Sequence, residues 1–481
     1  MQNIKTLFAP RNMTTGAPWK RILGFAVPML VGNIVQQLYS STDSAVVGQY
    51  VGDNALASVG SSMPILMFML ALFVGISTGA GILVSQAFGA RDRGLLSTAI
   101  GNCLTLTALV SLVIMALGAA LSPWLLRALN TPEAILKDAI AYLQIYFYGI
   151  FGFTFYNVLS GILRGMGDSF SALGFLLLTS LLNIALDLWF VIGFGWGVPG
   201  VAWATVISQV ISAVLCYLKL SRMRDTFEIT PATLRLKRET VRDITRLGMP
   251  SGLTQAIFSM AMILVQRLQN TFGPEIIATA IISMRVDGFA MMPNFSFGMA
   301  MTTFTGQNIG ARRLDRAQQG AMQGTLMAVG VAVIMTLAVL LFGRSIMSLF
   351  THTASIIDRG MRFIRILSVG FIGMAVIQSL SGVMRGAGDA MTPMWISLLT
   401  AVAMRVPLSY LLVEVSKSPE NPAGQPEMLY YAMLLTWLSG AVVNYLAFRY
   451  GRWRKRAQQR MDSMSSQSAE AAAELAASDQ L

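Results

Sequence analysis

The sequence predicts an all-α polytopic membrane protein, with twelve transmembrane helices in two six-helix lobes related by a pseudo-twofold axis along the membrane normal. Three observations carry that prediction. The 481-residue chain is 54% apolar and only 12% charged, against about 25% charged in an ordinary soluble domain. It contains twelve apolar runs long enough to cross the hydrocarbon of a bilayer, which takes about 20 helical residues. Its two halves repeat each other.

The spans are expected at 22–47, 56–86, 97–122, 138–162, 170–192, 198–219, 246–270, 276–306, 318–342, 361–383, 393–415 and 429–449. Each is read as a helix, because lipid offers the backbone no partner and the runs are too long and unbroken for barrel strands. Residues 1–20 are polar and lack a small-residue cleavage site, so span 1 is expected to stay in the membrane. Span 1 carries Pro28 and a polar stripe of Asn33, Gln36, Ser40 and Asp43, which helical spacing keeps on one face. Span 2 ends at FGARD and span 4, which contains Asn157, ends at SGILRGMGDS. Span 5 holds Asn183 and, one turn later, Asp187; span 6 holds Thr205, Ser208 and Gln209. A basic linker, 221–244, leads to span 7 with Gln255 and Ser259. Span 8 bears Arg285 and Asp287 and ends at GQNIGARR, span 10 bears Gln378 and ends at SGVMRGAGDA, and span 11 bears Arg405 and Glu414. The Ser-, Ala- and Gln-rich tail, 456–481, is expected to be disordered.

Charge position orients the chain. Of 35 Lys and Arg, 25 fall in the termini and in the loops after even-numbered spans, six in the loops after odd-numbered spans, and four within or at the edges of spans. By the positive-inside rule both termini are expected to be cytoplasmic; the membrane expected is a bacterial inner (plasma) membrane. The net charge of +12 therefore reports topology, and no nucleic-acid partner is expected. The two cysteines, Cys103 and Cys216, lie inside spans and imply neither a disulfide framework nor a zinc site.

The repeat has an offset of 221 residues. It pairs SGILRGMGDS with SGVMRGAGDA, Gln86 and the Gly89-Ala90-Arg91 turn with Gln307 and Gly310-Ala311-Arg312, Gly52 with Gly273 and, after one gap, Pro28 with Pro250. The halves are 21–220 and 245–455. Six spans in each insert them the same way up, and such halves enclose a mid-membrane cavity exposed alternately to either side. The RGMGD and RGAGD segments read as tight turns in which Asp168 and Asp389 cap the following helix.

Acids inside spans are costly and mark functional candidates. Asp43 and Asp187, with the amides of Asn157 and Asn183 and the hydroxyl of Thr205, offer oxygens suited to Na⁺, and a buried carboxylate pair can equally share a proton. At the repeat offset Asn183 maps to Met404, Asp187 to Leu408 and Asp43 to Leu264, while Asn157 maps to Gln378, so the second half mostly does not keep these polar groups; Gln378 and Gln255 are its C-lobe or gating candidates. Asp287 follows Arg285 by two residues and does not stack on it; Arg405 is a candidate partner, in a structural pair or in a gating or substrate role. Gly75-Ile-Ser77-Thr-Gly79 matches a nucleophile-elbow pattern, but it lies inside an apolar span and the only histidine is the distant His352. Small-residue helix packing explains it better, and no enzyme activity or cofactor is expected.

The duplicated RGMGDS/RGAGDA and FGARD/GQNIGARR motifs, in two same-way-up halves, resemble those of the multidrug and toxic compound extrusion (MATE) family over about residues 15–455. NIALD at 183–187 with Asp43 is similar to the branch whose cation site lies in the N-terminal lobe. That resemblance implies that Asp43, Asn183, Asp187 and Thr205 ligate the coupling cation, Na⁺ or H⁺, with Asn157 in the same network. It implies that Pro28 bends helix 1. Another branch has an acid in helix 7 where this chain has Gln255 and Ser259, which argues against a C-lobe cation site. The implied function is antiport of amphipathic, often cationic compounds, by a monomer in the bilayer. The alternatives are a dedicated exporter of one secondary metabolite or a lipid-linked precursor flippase.

Overall fold

A computed structural model gives the structure of the protein and describes residues 9–419 and 421–478. Nearly all of these are helical. In chain order the helices are α1 (Pro18–Val46), α2 (Asp53–Ala90), α3 (Arg93–Ala128), α4 (Glu133–Tyr148), α5 (Ile150–Gly165), α6 (Ser169–Leu188), α7 (Gly197–Ser221), α8 (Pro231–Leu234) and α9 (Arg238–Gln269). They continue as α10 (Pro274–Gly310), α11 (Leu314–Ser348), α12 (Ala354–Gly386), α13 (Met391–Leu398), α14 (Arg405–Val415), α15 (Glu427–Tyr450) and α16 (Trp453–Ser478). Three π-helical turns, Val47–Val51, Trp189–Gly193 and Leu399–Met404, extend α1 and α6 and join α13 to α14.

Among the described residues, eleven helices are long and apolar enough to cross a membrane, and a twelfth span arises if the bent pair α4 and α5 is counted as one. Span 4 was expected as a single helix at 138–162; the chain instead breaks at Gly149 and turns by 50°. The break coincides with a close approach: a Cβ on Gly149 would lie 2.3 Å from the Val206 side chain of α7, so a glycine is needed for that side chain to sit against the corner.

The structure forms two compact units. One holds residues through Asn12, Val31–Gly252, and the chain from Ser463 on; the other holds Met13–Leu30 and Leu253–Asp462. The boundaries thus fall inside α1, two residues after Pro28, and inside α9, two residues after Pro250, rather than in the basic linker.

In the first unit, Ile82, Leu83, Ile100, Cys103, Leu159, Ile162 and Cys216 build one core and Phe73, Leu126, Leu143, Phe147 and Val201 another. Part of the linker belongs to this unit because Asn102 of α3 holds it. The Asn102 amide donates to the carbonyls of Thr233 (3.1 Å) and Arg235 (2.9 Å) and accepts from Lys237 N–H (2.7 Å). The elbow-like Gly75 and Gly79 are helix-packing residues: they lie against Gly248 and Gly252 of α9, and Ser77 donates to the carbonyl of Asn157 at 2.7 Å.

In the second unit, Ile22, Phe25 and Met29 of α1 join Phe297, Met301 and Phe304 of α10 in one core. Phe363, Phe371, Met291, Tyr430 and Trp437 form a second. The tail expected to be disordered is helical as far as Ser478. Its first turns are held by a buried stripe, Trp453, Ala457 and Met461, whose four-residue spacing forms one helix face. Trp453 Nε1 donates to the carbonyl of Phe448 at 2.6 Å, and Arg456 pairs with Asp389. The composition looked disordered because it lacks long apolar runs, yet a few buried side chains and an Ala-rich sequence suffice for a helix.

The duplication reaches the backbone itself. Gly52 and Gly273, Arg91 and Arg312, and Gly167 and Gly388 all have positive φ, each pair 221 residues apart. Asp168 caps α6 by accepting from Ser171 N–H (2.9 Å) and Oγ (2.6 Å), and Asp389 accepts from Thr392 N–H (3.1 Å) and Oγ1 (2.8 Å). Both turns are as the sequence predicts.

Candidate functional site

Helices α5, α6 and α7 of the first unit pack on one another and carry Asn157, Asn183 with Asp187, and Thr205 with Ser208, respectively. Asn183 and Asp187 are one turn apart on α6 and both are enclosed, with relative exposures of 1% and 0%. A carboxylate held so far from bulk water is costly unless an ion, a proton or hydrogen bonds compensate it. Neither amide atom of Asn183 has a hydrogen-bond partner, and the same is true of Ser208 Oγ and Gln209 Oε1 on α7. The site therefore offers amide and hydroxyl oxygens with free bonding capacity around a buried carboxylate, a donor set that fits a small hard cation. Among the described residues no three His, Cys, Asp or Glu side chains cluster, as a transition metal would require.

The wider network is only partly drawn together. Asn157 spends its amide on its own helix, donating to the Phe153 carbonyl at 2.8 Å. Thr205 is buried. Helix α1 runs beside α6, with Gly32 placed where a Cβ would meet Leu173 and Leu176 at 3.7 Å. Asn33 is half-buried and Gln36 exposed on that helix, while the side chains of Ser40 and Asp43 lie outside the described residues. Two π-helical turns sit close by, Trp189–Gly193 beginning two residues after Asp187 and Val47–Val51 following α1. Such turns frequently mark functional positions. Sequence periodicity at 3.6 residues has no signal for them.

Pro28 lies in the interior of α1, where it leaves one backbone carbonyl without its amide donor. Of the second-half candidates, Arg285 is exposed and sits over the Phe350 ring at 5.9 Å, away from Asp287. Gln255 is exposed, and Gln378 lies at the close approach of α12 to Gly298 of α10. Asp287 and Arg405 act on each other electrostatically, but no ion pair within 4.0 Å joins them.

The MatE family model matches residues 28–189 and 250–411, one copy for each half. The chain belongs to the MatE family. It is a membrane transporter rather than an enzyme. The two matched segments start at Pro28 and Pro250, the positions paired by the internal repeat. Among MatE relatives, the probable multidrug resistance protein YoeA of Bacillus subtilis is 27% identical over 83% of this chain and 88% of its own length. The probable multidrug resistance protein NorM of Thermotoga maritima is 26% identical over 91% of this chain and 94% of its own. A solved structure described as MATE in complex with MaL6 superposes with a TM-score of 0.86, at 26% identity, covering 93% of this chain and 99% of that one. An outward-facing multidrug resistance MATE transporter superposes with a TM-score of 0.85, at 26% identity, covering 92% and 98%. The relatives support a multidrug efflux role for this MatE protein.

Proposed function

We propose that this MatE protein is a secondary antiporter that exports amphipathic, often cationic compounds in exchange for Na⁺ or H⁺ at a site built on Asp43, Asn183, Asp187 and Thr205. The observation that supports it most is the fully enclosed Asp187 one turn from an Asn183 amide with both polar atoms unpartnered. In this reading a cation entering from outside binds the two carboxylates. Its charge then relieves the desolvation that an empty, ionised site suffers, so the occupied site accepts a rearrangement of α1 that the empty site resists. Pro28 supplies the weak point, because the helix there lacks one hydrogen bond. One charge moving inward yields about 2.3 kcal/mol per 100 mV. A tenfold ion gradient adds about 1.4 kcal/mol. Together they sustain a neutral-substrate ratio of roughly some hundreds.

The test is reconstitution in liposomes with Na⁺ and H⁺ gradients imposed separately, following efflux of a fluorescent cation. One gradient should drive efflux in the wild type and fail in Asp187→Asn, with membrane insertion unchanged. Gradient-driven efflux surviving in both Asp187→Asn and Asp43→Asn would overturn the site.

A further inference from the structure

The second unit holds a polar cluster that the cation site does not use. Arg405 begins α14, directly after the π-helical turn Leu399–Met404. Pro407, two residues on, has no N–H to give to the preceding turn, which accounts for the irregular winding that sets where Arg405 emerges. Arg405 is 6% exposed and its Nε has no hydrogen-bond partner. One turn later on the same face, Ser409 is 0% exposed and its hydroxyl is also unpartnered. The hydroxyls of Thr107, Ser111, Ser122 and Ser283 turn back onto the carbonyl four residues earlier, whereas that of Ser409, like those of Ser208, Ser251 and Ser379, does not; what sets Ser409 apart is the buried guanidinium one turn away on its face.

Asp287 of α10 has an enclosed, unpartnered Oδ1 and acts electrostatically on both Arg405 and Tyr430 of α15, whose ring stacks on Phe363 of α12 at 4.0 Å. Asp287 and Arg405 act on each other electrostatically yet form no ion pair within 4.0 Å, so Asp287 balances the guanidinium charge without occupying its Nε donor. The shared fold does not require them. At the repeat offset Asp287, Arg405 and Ser409 correspond to Leu66, Ile184 and Leu188 in the first half. A buried guanidinium and a buried hydroxyl on one face, both with open donors, match the oxygens of a carboxylate or a phosphate.

We propose that Arg405 and Ser409, with Asp287 opposite, form a substrate subsite in the second unit that takes the oxyanion of a zwitterionic amphipathic compound. Asp287 keeps the guanidinium compensated while the subsite is empty. This deepens the antiporter reading by assigning the residues that hold an acidic group of the substrate, and rests on it only for transport.

The test is fluorescence polarisation on the full-length protein in detergent with two dyes of one ring system: rhodamine B, which has a free carboxylate, and rhodamine 6G, in which it is esterified. Arg405→Gln should weaken rhodamine B about ten- to a hundredfold while changing rhodamine 6G less than about twofold. Arg405→Lys should keep part of the rhodamine B affinity, and Ser409→Ala should lose several-fold for rhodamine B alone. Equal loss of both dyes, or of neither, overturns the proposal. If Arg405→Gln does not fold, the Arg405→Lys and Ser409→Ala pair decides. Dodecanoate and dodecyl phosphate, added separately, distinguish a carboxylate source from a phosphate one by which displaces rhodamine B; displacement by neither also overturns the subsite. Asp187→Asn separates the two proposals, since it should stop gradient-driven efflux of both dyes yet leave the Arg405-dependent binding difference intact.

Discussion

The crossing of α2 and α9 offers a sharp quantitative test, because two GxxxG segments meet there without intervening side chains. A Cβ on Gly79 would lie 2.4 Å from the carbonyl oxygen of Ile244 and 2.9 Å from Gly248 Cα, and one on Gly248 would lie 2.3 Å from the Gly75 oxygen. Relaxed carbon–oxygen contacts are about 3.3 Å or longer, so one methyl group forces the backbones apart by about 1 Å. No flexible side chain can yield instead, since the atoms met are backbone on both helices. Overpacking of this kind costs about 1–3 kcal/mol, more than the ~1 kcal/mol that alanine gains over glycine in a helix interior. Gly79→Ala and Gly248→Ala should therefore destabilise the first unit. Gly60→Ala on α2, where a Cβ meets nothing within 4 Å, should have the opposite sign. Cys103 and Cys216 supply the assay, being free and buried in the same unit, so a thiol-reactive dye reports their exposure on heating. The expected result is a midpoint a few degrees lower for the two crossing variants and an unchanged or higher one for Gly60→Ala. If Gly248→Ala and Gly79→Ala match Gly60→Ala, the helices are not held backbone to backbone.

Three further outcomes follow from named contacts. Burial raises the Asp168 carboxyl above its ordinary value despite the two hydrogen bonds from Ser171, so its contribution to stability is greatest when protonated and is lost as pH rises through the raised value. Asp168→Asn, which keeps a capping oxygen, should remove that pH dependence, whereas Asp168→Ala should cost about 0.5–2 kcal/mol in thermal denaturation at all pH values. Trp453→Ala empties a fully buried position and should cost about 3–5 kcal/mol or release α16, read as new protease cleavage after Tyr450; an intact α16 of unchanged stability would refute the docking. Arg456→Gln leaves the buried Asp389 with Thr392 as its remaining hydrogen-bond donor. It should lower the thermal midpoint more than Lys455→Gln on the exposed face of the same helix.

Much of this was legible in the residues, and for physical reasons. Hydrocarbon admits only helices and closed barrels, and runs this long and unbroken fit helices, so composition and run length identify the spans. A gene-length duplication leaves its mark wherever glycine or a cap is required, which is why the RGMGD and RGAGD turns and the positive-φ pairs could be matched before any coordinates. The candidacy of Asn183 and Asp187 came from the cost of polar groups in lipid, and both are enclosed as that cost demands. The break at Gly149 was not legible. Glycine is common in membrane helices, and only the approach of Val206 sets this one apart. Ser409 was equally silent, since a serine in a span normally bonds to its own helix, and its open hydroxyl depends on where α14 begins after the π-helical turn.

The sequence by itself determined that this chain lives in a bilayer as a duplicated helical protein, because solvent sets the length and polarity of every element. Tertiary structure alone decided which polar groups keep unused bonding capacity. That capacity depends on angles, π-helical turns and close glycine contacts between segments far apart in the chain, and neither composition nor periodicity encodes them.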